Sequence, residues 1–172
     1  MRVLKTNLDG VLEVFPEKFE DHRGIYIETY NRDNYKEAGI DIEFIQDDYS
    51  KSHRNVLRGL HGDSKTWKLV SCSYGELFLA VVDTRESSSD FGKSQTFILD
   101  SKSCNQVLIP PGFANGHYII SDIGIFNYKQ STNYDPESQF SYKYDEPKFS
   151  IEWPFTKEPI LSTRDSQAPF IS

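Results

Sequence analysis

At the centre of the chain stands the stretch Lys68-Leu-Val-Ser-Cys-Ser-Tyr-Gly-Glu-Leu-Phe-Leu-Ala-Val-Val-Asp83, in which two apolar runs flank Tyr74-Gly75-Glu76. Both runs have the length and composition of β-strands, and the glycine between them favours a turn. We therefore predict that the two runs are strands and that they pair with each other as a hairpin.

Similar short runs lie on both sides of this stretch, at intervals of about ten residues. Gly, Pro, Asn and Asp separate them, and these residues favour turns. Such a pattern is typical of an all-β sandwich or barrel. The runs comprise residues 24–30, 44–49, 94–99, 105–109, 116–120 and 124–130.

Helical periodicity is confined to residues 32–38, which end at Gly39, so we predict one short helix. The tail from Tyr144 is expected to be irregular and to lie over the barrel, because proline interrupts regular structure. Nothing resembling a linker or a repeat divides the sequence, which predicts a single domain over residues 1–172. The prolines of the tail are Pro147, Pro154, Pro159 and Pro169.

Composition narrows the possible partners and compartments. The 172 residues carry a formal net charge of −7, which argues against binding to a nucleic-acid backbone. The apolar runs are too short to span a membrane, and the N-terminus lacks the pattern of a signal peptide. Cys72 and Cys104 have no metal-type spacing, so we expect two reduced thiols in a cytoplasmic protein.

His61 is the most suggestive of the four histidines. It follows Arg58-Gly59-Leu60 and precedes Gly62, so glycines on both sides allow a ligand to approach the backbone closely. Arg58 adds a cation that suits an anionic substrate. From this spacing alone, a structural role for His61 stays equally open.

A metal site is a second interpretation of the same region. His61, Asp63 and the distant His117 match the pattern of two histidines and one carboxylate that binds iron in oxygenases. On a β-barrel this pattern supports a metal-dependent cupin oxygenase as an alternative function.

Further short motifs follow one another from about Gly10 to Pro169. They occupy residues 19–28, 44–50, 56–61, 68–70, 82–85, 91–92, 109–114, 128–129, 134–136, 151–154 and 161–165. By these motifs, in this order, the chain resembles the dTDP-4-dehydrorhamnose 3,5-epimerase family. The resemblance implies a cupin-like jelly-roll barrel, usually a homodimer, that binds a sugar nucleotide in the barrel mouth without a metal or other cofactor.

The resemblance also implies a set of catalytic residues. Epimerisation beside a ketone needs a base on one face of the sugar, an acid on the other face and donors for the enolate oxygen. His61 corresponds to the base, and Asp165 to the carboxylate that orients it. Tyr134 corresponds to the acid on the opposite face, and Lys68 to the cation that stabilises the enolate, with Arg58 as a possible second cation.

Substrate-binding residues follow from the same resemblance. Some correspond to contacts with the nucleotide and the diphosphate, one is placed to stack on the base, and the remainder lie at the ligand end of the matched motifs. In that order they are Arg23, Glu28, Gln46 and Arg58; Phe140; and Asp48, Asn115, His117 and Arg164.

Several of these positions depart from the family pattern. Asp48 replaces the usual Asn, Asn115 replaces the usual His, and His117 follows two positions later, while the segment 62–67 is short. These departures extend the expected substrates from dTDP-4-keto-6-deoxyhexoses to GDP-4-keto-heptoses, precursors of surface polysaccharides, with Asp48 accepting from the guanine amino group. A 3,4-ketoisomerase and a non-catalytic nucleotide-sugar binder remain as further alternatives.

Overall fold

A computed structural model describes residues 1–171. It contains thirteen strands, two α-helices and a 3-10 turn at Pro147–Phe149. The helices are α1 (Arg32–Glu37) and α2 (Thr163–Ser166). The strands are β1 (Arg2–Lys5), β2 (Leu12–Phe15), β3 (Lys18–Asp21), β4 (Gly24–Ile27), β5 (Gln46–His53), β6 (Leu57–Asp63), β7 (Lys68–Tyr74), β8 (Glu76–Asp83), β9 (Ser94–Asp100), β10 (Gln106–Ile109), β11 (Phe113–Ile119), β12 (Ile123–Gln130) and β13 (Gln139–Ser141).

The strands form two large antiparallel sheets and one small hairpin. The six-stranded sheet has the order β1-β2-β10-β7-β12-β5, and the five-stranded sheet has the order β13-β6-β11-β8-β9. β3 and β4 pair only with each other. The predicted all-β, jelly-roll class is confirmed, with two open sheets packed face to face.

Strand β8 shows why this arrangement is stable. Leu77, Leu79 and Val81 point into the core between the sheets, whereas Phe78 and Ala80 lie in a second apolar cluster on the outer face. Both faces of β8 are therefore buried, which explains its uninterrupted apolar sequence. Residues of the C-terminal tail cover the outer face, among them Ile151, Trp153, Phe155 and Leu161.

The predicted hairpin between residues 68–73 and 77–83 is wrong. β7 lies between β10 and β12 in one sheet, whereas β8 lies between β11 and β9 in the other. Gly75, at φ +82°, lies where the chain passes from one sheet to the other. A Cβ at this position would lie 2.2 Å from the Ile123 carbonyl oxygen. Val70 and Leu79 belong to one core cluster, so both strands contribute side chains to the core between the sheets.

The predicted helix is confirmed as α1, which Asn31 caps and which ends before Gly39 at φ +89°. The tail is largely irregular, as predicted, but it also contains α2, so the expectation of one helix needs correction. Ser162 caps α2 by accepting from the Asp165 N–H. Within residues 1–171, neither helix is long or apolar enough to cross a membrane.

Candidate active site

A cavity of about 410 Å³ opens between the two sheets. One wall consists of Gln46, Asp48 and Ser50 on β5, Lys68 and Val70 on β7, and Phe126, Tyr128 and Gln130 on β12. The opposite wall consists of Arg58 and His61 on β6, Asn115 and His117 on β11, and Gln139 on β13. Tyr134 and Arg164 complete the lining. The structure thus gathers most of the predicted site residues in one place.

His61 and Asp165 form the central pair of this cavity. His61 Nε2 lies 2.6 Å from Asp165 Oδ1, and the Asp165 carboxylate is buried whereas the His61 ring reaches the cavity. This hydrogen bond leaves Nδ1 as the ring nitrogen without a partner among the described residues. A carboxylate behind an imidazole fixes its tautomer and stabilises the imidazolium formed when the free nitrogen takes a proton.

The environment of Asp165 keeps this carboxylate ionised. Burial on its own raises the pKa of Asp165, but the hydrogen bond and the charge of His61 outweigh it, with help from Ser162 and the Gly59 N–H. The net effect is a pKa below the usual value. Short as it is, α2 therefore delivers a charged group directly to His61.

A local irregularity in β6 brings both Arg58 and His61 to the cavity. The register between β6 and β11 shifts, so that Asn115 opposes His61 and His117 opposes Arg58. Gly59, at φ +126°, lies in this segment, and a Cβ there would come within 2.5 Å of Gly116 Cα. In a regular strand, residues three positions apart, such as Arg58 and His61, point to opposite faces. The irregularity between them allows both side chains to reach the cavity.

Three cationic side chains line the cavity: Arg58, Lys68 and Arg164. Burial lowers the pKa of Lys68, and the positive charge of Arg164 lowers it further, while Asp63 acts in the opposite direction. Arg58 is held through Nε by the Ser52 hydroxyl at 3.1 Å. These cations give an acidic protein a local site for a negatively charged ligand.

Tyr134 lies at the cavity rim and is 58% exposed. Its backbone N–H donates to Gln46 Oε1 at 2.9 Å, which fixes the loop after β12 against β5. The side chain is therefore accessible to a ligand that enters the cavity.

The Asp48 carboxylate accepts two hydrogen bonds from side chains of the same subunit. Its Oδ2 accepts from Gln46 Nε2 at 2.6 Å and from Gln130 Nε2 at 2.9 Å. These two amides hold one oxygen of the carboxylate, and acceptance from a guanine amino group by Asp48 stays a prediction.

Asp63 does not join His61 and His117. Its Oδ1 accepts from the backbone N–H groups of Lys65 and Thr66, and its Oδ2 accepts from the Ser138 hydroxyl and the Gln139 amide. No group of three or more His, Cys, Asp or Glu side chains converges anywhere in residues 1–171. The geometry therefore gives the metal-site alternative no support, because the carboxylate it needs is a structural hydrogen-bond acceptor.

Three predicted binding residues do not reach this cavity. Arg23 pairs with Asp21 at 2.6 Å on the β3–β4 hairpin, and the Glu28 carboxylate accepts from the amides of Asn31 and Asn34. Phe140 packs in an apolar cluster over Gly62, where an added Cβ would lie 2.0 Å from its ring. Phe140 does not line this cavity and is only partly buried, so its role in stacking on a base stays a prediction.

Sequence reasoning missed several lining residues. On β5, residues 46, 48 and 50 share one face, as do residues 126, 128 and 130 on β12, because side chains alternate along a strand. Once Gln46 and Asp48 were assigned to the site, this alternation could have identified Ser50. Nothing in the sequence could have shown that β12 pairs with β5 and which of its faces lines the same wall.

The sequence model of the dTDP-4-dehydrorhamnose 3,5-epimerase family matches residues 5–172. The chain belongs to this family. The dTDP-4-dehydrorhamnose 3,5-epimerase of Salmonella typhimurium is 40% identical over 175 residues, covering 99% of this chain and 96% of its own. As a member of this family, the chain described in this structure is an isomerase-class enzyme.

Structural similarity extends over the same length. The crystal structure of a 3,5-epimerase from Legionella pneumophila in complex with dTDP-4-keto-L-rhamnose gives a TM-score of 0.94 at 38% identity, covering 98% of this chain and 92% of that one. The dTDP-4-dehydrorhamnose 3-epimerase of Streptomyces niveus is 34% identical over 98% of this chain and 83% of its own. These relatives are named for dTDP-linked sugars, so the expectation of a GDP-linked heptose gains no support from them.

Proposed function

We propose that the chain inverts carbons 3 and 5 of a dTDP-linked 4-keto-6-deoxy sugar, as a step in sugar biosynthesis. The observation that carries the proposal is the His61–Asp165 pair inside a cation-lined cavity. The names of the full-length relatives support dTDP as the nucleotide, and the 40% identical relative is named as a 3,5-epimerase. One 34% identical relative is named as a 3-epimerase. Inversion at carbon 3 alone is therefore the alternative outcome that the experiment must distinguish from inversion at both carbons.

The proposed chemistry begins with proton removal next to the ketone. Nδ1 of His61 takes the proton from the carbon, the electron pair of the C–H bond forms the C=C bond of the enolate, and the π pair of the carbonyl moves to its oxygen. Asp165 holds the resulting imidazolium in place. Lys68 stabilises the negative oxygen, since preorganised charge at a developing oxyanion commonly contributes a few kcal/mol.

Tyr134 returns a proton on the opposite face of the sugar in this proposal. The O–H bond breaks as its proton bonds to carbon, and the enolate returns to the ketone with inverted configuration. The tyrosinate then regains a proton from solvent, and the His61 imidazolium releases one. A phenol hydroxyl can donate its proton to a carbanion, which suits the role of an acid. The rim position of Tyr134 and its 58% exposure support this role.

The charged lining supports a role in binding the diphosphate. Arg58 and Arg164 supply guanidinium groups, which pair with phosphate oxygens in a bidentate manner. Gln46 and Gln130 lie on the same wall, but both are engaged with Asp48 and therefore support the shape of the site.

We propose further that the enzyme is a homodimer in which Arg23 and Glu28 act at the partner's site. In their own subunit these residues lie on and beside the β3–β4 hairpin, away from the cavity. The same hairpin exposes Phe19, Ile25 and Tyr26, an apolar surface that suits a protein interface. A molar mass near 20 kDa by light scattering would contradict the dimer, because one chain has 19.9 kDa.

A cytoplasmic location completes the proposal. Cys72 and Cys104 are both free thiols, which suits a reducing compartment.

The function is tested by incubating the protein with 4-keto-6-deoxy sugars linked to dTDP, GDP or CDP and identifying the products by NMR. The proposal expects inversion at carbons 3 and 5 of the dTDP sugar. Movement of the ketone to carbon 3 would instead establish a 3,4-ketoisomerase, and binding without turnover would establish a non-catalytic binder. Either result would overturn the proposal.

A further inference from the structure

One end of the cavity contains a group of polar side chains without partners. Asn115 and His117 on β11 are 7% and 5% exposed, and Asn115 Oδ1 and His117 Nε2 make no hydrogen bond within the described chain. Ser50 Oγ, on the facing strand β5, is buried and unpartnered in the same way. All three residues line the cavity, and together they account for every buried side-chain N or O atom found without a partner in residues 1–171.

Such atoms are costly in a folded protein. A buried polar group without a partner forfeits its hydrogen bonds to water, so native proteins satisfy nearly all of them. Other buried polar side chains of this chain follow the rule. Asn105, for example, is 4% exposed, donates to Glu13 Oε1 and the Ile98 carbonyl, and accepts from the Ser103 hydroxyl. The cavity end is the exception, and it is where a ligand can supply the missing partners.

The three side chains without partners at this end are uncharged, and Arg58 pairs with His117 across β6 and β11. Burial lowers the pKa of His117 to about 3, helped by the positive charge of Arg58 and by His61 and opposed by Asp165, so the imidazole is neutral. A neutral imidazole, an amide and a hydroxyl each combine donor and acceptor capacity. A phosphate oxygen only accepts and cannot satisfy Asn115 Oδ1, whereas a sugar hydroxyl both donates and accepts.

The position of the His117 ring is fixed by packing. It stacks on Phe126 with the ring centroids 4.0 Å apart and an interplanar angle of 19°. Phe126 pairs with Ser50 across β12 and β5, so the stack and the serine lie at the same level of the cavity. Asn115 pairs with His61 across β11 and β6, which places the amide beside the proposed base.

We propose that Ser50, Asn115 and His117 form a pocket that binds a hydroxyl group of the sugar and thereby positions the ring against His61. The proposal rests on the function proposed above, because it takes the sugar to enter this cavity. It assigns to the three residues recognition of the sugar, apart from the nucleotide and the diphosphate.

The test compares the binding of dTDP with that of dTDP-glucose, a nucleotide sugar without a ketone, by calorimetry. His117→Phe keeps a ring that can stack on Phe126 but removes the nitrogen, and Asn115→Leu removes the amide at similar size. We expect each variant to bind dTDP-glucose about tenfold more weakly, the loss typical of one hydrogen bond, and to bind dTDP within about twofold of the wild type. An equal loss for both ligands, or no loss for either, would overturn the pocket.

Asn105→Leu is the matched control, because it removes a buried amide whose partners lie within the protein. We expect this variant to have a lower Tm and an unchanged ratio of the two affinities. Asn115→Leu and His117→Phe should instead keep the wild-type Tm or raise it by about 2–4 °C, since they remove unpartnered atoms. A lower Tm with intact sugar binding would show that Asn115 and His117 are structural, and would overturn the proposal.

Failure of the proposed function gives a different result. If wild-type protein binds dTDP-glucose through this pocket but catalyses no exchange on a dTDP-4-keto sugar, the function is wrong and the pocket stands. If exchange occurs and the variants leave the affinity ratio unchanged, the function stands and the pocket is wrong. Binding of neither ligand to the wild type would overturn both.

Discussion

His61 Nε2 lies 2.6 Å from Asp165 Oδ1, although the two residues are 104 positions apart in the sequence. β6 supplies the histidine, and the four-residue helix α2 supplies the carboxylate. The long C-terminal tail therefore does more than cover the outer face of the five-stranded sheet. It returns to the cavity and completes the pair on which the proposed chemistry depends.

Asp165→Asn should lower kcat by about 10²-fold or more while leaving the affinity for dTDP nearly unchanged. The amide cannot stabilise an imidazolium and can hold His61 in the wrong tautomer. Steady-state kinetics and dTDP calorimetry measure the two effects. Asp122→Asn, which alters an exposed carboxylate paired with Arg54, is the control and should retain full activity. A variant Asp165→Asn with wild-type kcat would remove Asp165 from the mechanism.

Tyr134→Phe should retain proton removal but impair proton return. The phenyl ring keeps the shape of the rim and lacks the hydroxyl that donates to carbon. In deuterated water we expect the substrate to exchange while the epimerised product accumulates more slowly, by about 10²-fold or more. Product formation at the wild-type rate and yield would exclude Tyr134 as the acid.

Gly59→Ala and Gly24→Ala separate crowding from backbone strain. Both glycines have nearly the same positive φ, +126° and +123°, but a Cβ at Gly59 would lie 2.5 Å from Gly116 Cα, whereas one at Gly24 would meet nothing within 4 Å. Each variant should lose about 1–3 kcal/mol of unfolding free energy from strain. Gly59→Ala should lose about 1–3 kcal/mol more, measured by urea unfolding, because backbone atoms must move. Equal losses would show that the close approach of β6 and β11 is easily relaxed.

The neutral His117 should make stability depend on pH. Its folded pKa of about 3 lies below the unfolded value near ~6.5, so below that pH the unfolded state binds a proton that the folded state does not. This contribution is complete above pH ~6.5 and is lost as the pH falls towards 3, with a slope of at most about 1.4 kcal/mol per pH unit. Arg58 and His61 favour the neutral ring, and Asp165 opposes it.

His117→Phe should therefore lose less unfolding free energy than the wild type between pH 7 and pH 5. Urea unfolding at the two values provides the comparison, and Asp165→Asn serves as a second reference, since the lowered pKa of Asp165 affects stability only as the pH falls below about 4. Parallel losses in the wild type and in His117→Phe would mean that His117 takes up its proton in the folded state.

Local patterns predicted the elements of the fold better than their partners. Alternation identified β9 and β12, and the signals around Gly39 identified α1. The hairpin at Gly75 failed because a tight turn does not specify whether the next strand stays in the same sheet. That choice is made by core side chains such as Val70 and Leu79, which belong to one apolar cluster between the two sheets. With four residues, α2 is too short to show helical periodicity.

Residues of the site that belong to family motifs could be predicted from the sequence. Features of the site that depend on the packing of strands could not. His61, Lys68, Tyr134 and Arg164 were identified through the family resemblance, and the structure brings them to one cavity. The packing of Phe140 over Gly62 depends on the pairing of β13 with β6, which the sequence does not show. The absence of partners for Ser50 within residues 1–171 is likewise a property of the packed sheets and leaves no trace in the sequence.

The most direct test of the account follows deuterium from solvent into dTDP-4-keto-6-deoxyglucose by NMR, with wild-type protein and with His61→Ala. We predict that the wild type incorporates deuterium at carbons 3 and 5 and that His61→Ala incorporates it at neither, while still binding dTDP. Exchange at the wild-type rate in His61→Ala, or no exchange in the wild type, would contradict the role of His61 as the base.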